Sequence, residues 1–127
     1  MFDWRRPSNL GVQDGRLAPC RRTPNCVSSQ ADPADRGHYI EPISFAGPFS
    51  EVESMVRGMS GATVIRADGN YLYAEFRTPL LRFVDDFEVL QEGGVLHVRS
   101  SSRLGRRDFN VNRRRVEALR SLIRARG

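Results

Sequence analysis

Hydrophobic and polar positions follow no sustained period over the first 38 residues, where Pro7, Pro19, Pro24 and Pro33 interrupt each apolar start. That stretch predicts an extended arm holding Cys20 and Cys26, followed by a single α+β domain over residues 39–127. Tyr39 to Phe45 reads as a short strand that Pro42 places at a sheet edge. Phe49, Val52, Met55, Val56 and Met59 recur at helical spacing, with Ser50 and Glu53 set as a capping box. After Gly61 the period changes to two. Ala62 to Arg66 leads through Asp68-Gly69-Asn70 into Tyr71 to Thr78, and Pro79 ends that run. Arg82 to Leu90 and Val95 to Ser102 flank Gly93-Gly94, a strong hairpin signal. Helical spacing returns at the end, where Phe109, Asn112, Val116, Leu119 and Ile123 form one stripe behind Asp108 as N-cap.

The predicted order is β-α-β-β-β-β-α, an antiparallel sheet of about five strands whose apolar face packs on the long C-terminal helix. That order resembles folds of the TBP-like, helix-grip type, which serve as ligand cavities, nucleic-acid saddles and scaffolds alike. With Gly93-Gly94 as the loop, Val89 faces Val98, Phe87 faces Ser100 and Asp85 faces Ser102. Alternation then puts Phe83, Asp85, Phe87, Val89, Leu96, Val98, Ser100 and Ser102 on the core face. Asp86, Glu88, His97, Arg99, Ser101 and Arg103 take the wetter face, with Glu88 and Arg99 as a solvated ion pair. Asp85, Ser100, Ser102 and Asn112 meet under the first helical turns, where Asp85 needs a cation such as Arg103 or Arg113. On this register losing Asp85 is costly and losing Asp86 is cheap. Two roles fit the cluster: a hydrogen-bonded lock that docks the helix, or the polar end of a ligand pocket.

Charge changes the picture only partly. The formal net charge is +5, yet ten of the arginines fall within residues 99–127 against Asp108 and Glu117 alone. All 20 basic residues are arginine. A GC-rich coding sequence accounts for this, since Arg5, Arg36 and Arg57 in the rest of the chain are equally unaccompanied by lysine. Arg113, Arg120 and Arg124 lie along one face of the last helix, with Arg106 and Arg107 near its start, a weak nucleic-acid surface. That face lacks the aromatic side chains on which bases stack, so nucleic acid is not the favoured partner. No apolar run approaches the roughly 20 residues that span a bilayer. Read from Met1, the chain is cytoplasmic by default, with Phe2 and Trp4 beside Arg5 and Arg6 as a possible peripheral membrane contact.

Cys20 and Cys26 are six positions apart, a spacing that signals neither zinc nor C-x-x-C redox chemistry. They form a local disulfide in an oxidising compartment and two free thiols otherwise. Neither His38 nor His97 has clustered ligands, and the sequence implies no cofactor or metal. Three stretches, PNCVSS at 24–29, FVDDFE at 83–88 and RSSSRLGRRDFNVNRRRVEALR at 99–120, resemble a bacterial and plant family of unknown function, the fourteen-ninety-nine family. The family pattern falls on Asn25, Cys26, Ser28, Ser29, Asp85, Asp86, Arg99, Ser100, Ser102, Arg103, Gly105, Asp108, Asn112 and Arg113. Asn110 replaces a frequent glycine, a substitution that tolerates left-handed backbone.

The resemblance implies no activity. The leading expectation is a small binding domain that joins the PNCVSS loop to Asp85, Arg103, Asp108 and Asn112. Its ligand would be a small anion, a lipid headgroup or a peptide carboxylate. The alternative is a hydrolase-like enzyme with Cys26 or Ser28 as nucleophile.

Overall fold

The period-two segments form the centre of an antiparallel sheet, seen in a computed structural model that describes residues 5–78, 83–104 and 110–126. In chain order the elements are β1 (Val12–Gln13), β2 (Arg16–Leu17), β3 (Cys26–Ser28), β4 (Ile43–Ser44), α1 (Phe49–Arg57), β5 (Ala62–Asp68), β6 (Tyr71–Arg77), β7 (Val84–Glu92), β8 (Val95–Ser102) and α2 (Val111–Ala125). The large sheet runs β3-β8-β7-β6-β5, with β4 also on β8. The fold is α+β. Gly93 and Gly94 make the β7–β8 turn, and both have positive φ (59° and 82°), the conformation a two-residue hairpin loop demands. The register is the expected one: Asp85 opposes Ser102, Phe87 opposes Ser100 and Val89 opposes Val98.

One face of the sheet carries the main core. Leu72, Ala74 and Phe76 of β6, Phe87 and Val89 of β7, and Leu96 and Val98 of β8 pack beneath both helices. Phe76 and Phe87 meet edge to face with centroids 5.4 Å apart. Asn112, Val116, Leu119 and Ile123 are the buried stripe of α2, which lies over β8 and β3. Val116 and Leu119 have no exposed surface, and burial of each contributes on the order of 1.5–3 kcal/mol. Val52 and Val56 bury the matching stripe of α1.

The helix starts differ from expectation. The N-cap of α1 is Pro48, which puts Ser50 inside the first turn and not at the cap, so Ser50 and Glu53 form no capping box. Ser50 instead accepts a hydrogen bond at its carbonyl from Ser54 Oγ, and Glu53 takes Arg57 at 2.8 Å. The N-cap of α2 is Asn110 in the left-handed conformation (φ 64°). Asp108, Gly105 and Phe109, like Arg106 and Arg107, lie outside the described residues.

The N-terminal segment is more structured than its aperiodic sequence predicts. Residues 12–17 form the β1–β2 hairpin, and Cys26–Ser28 adds a sixth strand to the large sheet along β8. Leu10 and Leu17 pack on Tyr71, Tyr73 and Leu90, so this segment covers the sheet face opposite the helices. The face expected to be wet is buried.

Candidate functional site

On the helix side, Ser100 Oγ donates to Asn112 Oδ1 at 2.6 Å, and Asn112 Nδ2 donates to Ser102 Oγ at 2.8 Å and to the Asn25 carbonyl at 3.2 Å. Asp85 joins this group, but its cation is neither Arg103 nor Arg113. Arg115 sits 2.8 Å from its carboxylate and 4.6 Å above the Phe76 ring centroid. Helical spacing explains the choice: position 115 is three past Asn112 and shares its face, whereas Arg113 points elsewhere and donates to the Tyr39 and Arg36 carbonyls. Burial pushes the Asp85 carboxyl up, and Arg115 and Ser102 pull it partly back. With its donors and acceptors matched to one another, this cluster is a lock between α2, β8 and the Asn25 turn.

On the opposite face a denser charge network lies under the N-terminal segment. Arg103 donates to Asp86 (2.9 and 3.0 Å), to Glu75 (2.6 Å) and to the Tyr73 hydroxyl (3.2 Å). The single Tyr73 hydroxyl proton lies between two carboxylates, Asp86 at 2.5 Å and Glu75 at 2.9 Å. Arg6 from the segment reaches Glu75 at 2.8 Å, and the Gly11 amide donates to Glu88 at 2.8 Å. Burial raises the Tyr71 and Tyr73 hydroxyl pKa values, reinforced by the Glu88 and Asp86 carboxylates they bond. Burial also works against the Glu75 charge, but bonds from Arg6, Tyr73 and Arg103 outweigh it and hold that carboxyl below the usual range. Asp86 is 2 % exposed, as buried as Asp85, and Glu88 and Arg99 form a covered pair at 3.4 Å, not a solvated one.

Beside this network a pocket of about 480 Å³ opens between the N-terminal segment, the Cys20–Cys26 loop and the ends of β7 and β8. Among the described residues, Arg5, Arg6, Arg21, Arg99 and Arg103 line it against one carboxylate, Asp86. Ser8, Asn9, Thr23, Asn25, Ser101 and Ser102 supply hydroxyls and amides, and no aromatic side chain contributes among the described residues. The Arg99 side chain is 5 % exposed, and its Nε is buried with no hydrogen-bond partner among the described residues. A buried guanidinium N–H without an acceptor is costly.

The model of a family described as "Protein of unknown function (DUF1499)" matches residues 16–123. The chain belongs to the DUF1499 family. No curated protein and no solved structure matches it. The matched span of this DUF1499 chain includes Arg21, Arg99 and Arg103 of the pocket and excludes Arg5 and Arg6.

The family-pattern residues serve different ends. Asn25 bridges both faces: its backbone carbonyl takes Asn112 Nδ2 and the Ser102 amide, while its side chain lines the pocket and donates to the Ser102 carbonyl at 3.3 Å. Cys26 is joined to Cys20 in a disulfide, which leaves no thiol for the nucleophilic role. Ser28 is 2 % exposed and accepts the Gln30 amide at 3.1 Å, and no imidazole or carboxylate bonds its hydroxyl among the described residues. Ser29 staples the strand to β8 by accepting the Val98 amide at 2.8 Å. Ser28 and Ser29 stand outside the pocket lining. Arg113 and Arg120 of the basic helix face are committed to carbonyls of residues 36, 39, 41 and 42. Among the described residues no helix is long and apolar enough to cross a membrane, and no group of His, Cys, Asp or Glu is placed to hold a metal.

Sequence reasoning missed Arg115, Glu75, Tyr73 and Arg21, and gave Arg5 and Arg6 only as a membrane contact. The run YLYAEFRT held one signal. It is apolar on both faces, Tyr71 and Tyr73 on one and Leu72, Ala74 and Phe76 on the other, which implies a sheet covered twice.

His38 braces the pocket loop from outside. Nε2 lies 2.8 Å from the Thr23 carbonyl and Nδ1 2.8 Å from Asp35 Oδ2. Both partners accept, so these two contacts favour the doubly protonated ring. The Thr23 carbonyl first, then Asp35, raises its pKa. A raised folded-state pKa gives stability that is fully present below the unfolded value near 6.5 and lost as pH rises through the folded value. The stability gap between wild type and His38→Ala is therefore expected to shrink from about pH 6 to about pH 9. Urea titrations at both ends check this, and a constant gap would mean that the two contacts do not favour the charged ring.

Proposed function

We propose that this DUF1499 domain is a non-catalytic binding module for a small, strongly polar anion, held in the arginine-lined pocket between the N-terminal segment and β8. The carrying observation is the charge of the lining: among the described residues, Arg5, Arg6, Arg21, Arg99 and Arg103 surround the pocket with one carboxylate, Asp86. Even with Glu75 and Glu88 behind the lining counted, cations remain in excess. Arginine forks match phosphate and carboxylate oxygens, and the hydroxyls add donors without charge. Among the described residues Pro7 is the one apolar side chain in the lining, which favours a polar anion over an acyl chain or a nucleobase. A lipid would be engaged through its headgroup alone.

Thermal-shift titration with inorganic phosphate, pyrophosphate and citrate tests the reading. At least one is expected to raise Tm by several degrees at saturation, with the gain falling as salt rises. Arg99→Lys keeps a cation facing Glu88 but removes Nε and the fork, and is expected to weaken binding about tenfold. Arg21→Ala, at an exposed position, is expected to weaken it about threefold. If none of the three anions shifts Tm, or if both variants bind as wild type does, the pocket is not an anion site.

A further inference from the structure

Resting on the anion-pocket reading, we infer that the pocket is under thiol–disulfide control: reduction of Cys20–Cys26 frees the loop that carries Arg21 and Thr23 and lowers the affinity for anions. The disulfide closes a loop of which Arg21, Thr23 and Asn25 line the pocket. The two ends of this loop are held very differently. At its far end Asn25 is tied to β8 by the Ser102 amide, and Cys26 opposes Ser101 within the sheet. At its near end, no hydrogen bond holds the chain between Leu17 and Thr23 among the described residues. The disulfide and the His38–Thr23 contact are the ties there. Breaking one bond therefore releases the pocket lip while leaving β3 paired to β8.

The bond is also placed for exchange. Cys26 is 1 % exposed, whereas Cys20 is half-buried, so an incoming thiolate meets the Cys20 sulfur. Arg21 and Arg22 follow Cys20 directly, are exposed, and have no carboxylate partner among the described residues. Cations beside a thiolate stabilise it, which favours the reduced form. The co-reactant is a dithiol reductant. One of its thiolates attacks Cys20 Sγ, forming a mixed disulfide and releasing Cys26 as a thiolate that takes up a proton. Its second thiolate then attacks the reductant's own sulfur in that mixed disulfide and releases Cys20. Two electrons and two protons pass to the protein, and the reductant leaves as a disulfide.

The test uses the full chain in its oxidised form, after treatment with dithiothreitol, and as the Cys20→Ser/Cys26→Ser variant. Citrate and pyrophosphate are titrated calorimetrically, and trypsin nicking after Arg21 and Arg22 is timed. Reduction is expected to weaken anion binding at least tenfold and to speed nicking about tenfold, with the far-UV circular dichroism unchanged. If the double variant fails to fold, the dithiothreitol-treated wild type carries the comparison. Equal affinity in both redox states, or equal nicking rates, overturns the control and leaves the anion pocket standing. No binding of either anion in the oxidised state overturns the pocket reading and the control together.

Discussion

Replacing Asp86 by alanine is expected to destabilise the fold by about 3–5 kcal/mol, in the range for breaking a buried ion pair from one side. Asp86 accepts from Arg103 through both Nε and a terminal nitrogen, and from the Tyr73 hydroxyl. Its removal leaves the Arg103 guanidinium, 6 % exposed, with Glu75 as its remaining carboxylate in the same network. Burial opposes the Arg103 charge, and it is Asp86, then Glu75 and Tyr73, that push its pKa up despite burial. Asp86→Asn keeps an acceptor for Tyr73 and is expected to cost about half as much. Asp85→Ala, which strands Arg115, belongs in the same range of about 2–4 kcal/mol. Urea unfolding of the three variants measures this directly. An Asp86→Ala cost below about 1 kcal/mol, the value for a solvated pair, would mean that the N-terminal segment does not seal this face.

Asn112→Ala is the second large effect, expected at about 3 kcal/mol. The amide is fully buried and serves the Ser100 hydroxyl, the Ser102 hydroxyl and the Asn25 carbonyl at once. It also accepts Arg115 at 3.1 Å, so its loss loosens the cation that neutralises Asp85. Alanine has neither the donor nor the acceptor, and the small cavity admits solvent to groups that the lock kept paired. Native-state hydrogen exchange should show faster exchange at the start of α2 and at the Ser102 amide, which bonds the Asn25 carbonyl. Uniform acceleration across the sheet, including β5 and β6, would instead mark Asn112 as an ordinary core residue with no special part in docking α2.

The inner cluster was legible in the sequence because each step to it is local. Two adjacent glycines set the hairpin register, strand alternation put Asp85, Ser100 and Ser102 on one face, and the stripe of α2 added Asn112. The cation was misplaced by attention to nearness in sequence; the spacing rule that placed Asn112 also selects Arg115. The outer face was a different problem. Asp86, Glu88 and Arg99 have the same letters and the same alternation whether they meet water or a covering segment. The contacts that bury them, such as Arg6 to Glu75 and Gly11 to Glu88, join residues 69 and 77 positions apart.

By itself, then, the sequence determined the elements that follow residue 38, the β7–β8 register, the face of α2 that docks and membership of the family, all of which rest on short-range periodicity or contiguous motifs. Only the tertiary structure decided that the second sheet face is covered, which cation meets Asp85, and that a pocket stands beside the Cys20–Cys26 loop. Those outcomes depend on where an aperiodic segment settles. It settles over Tyr71, Tyr73 and Leu90 because they offer apolar surface, and in covering them it desolvates the charges alongside and compels them to pair.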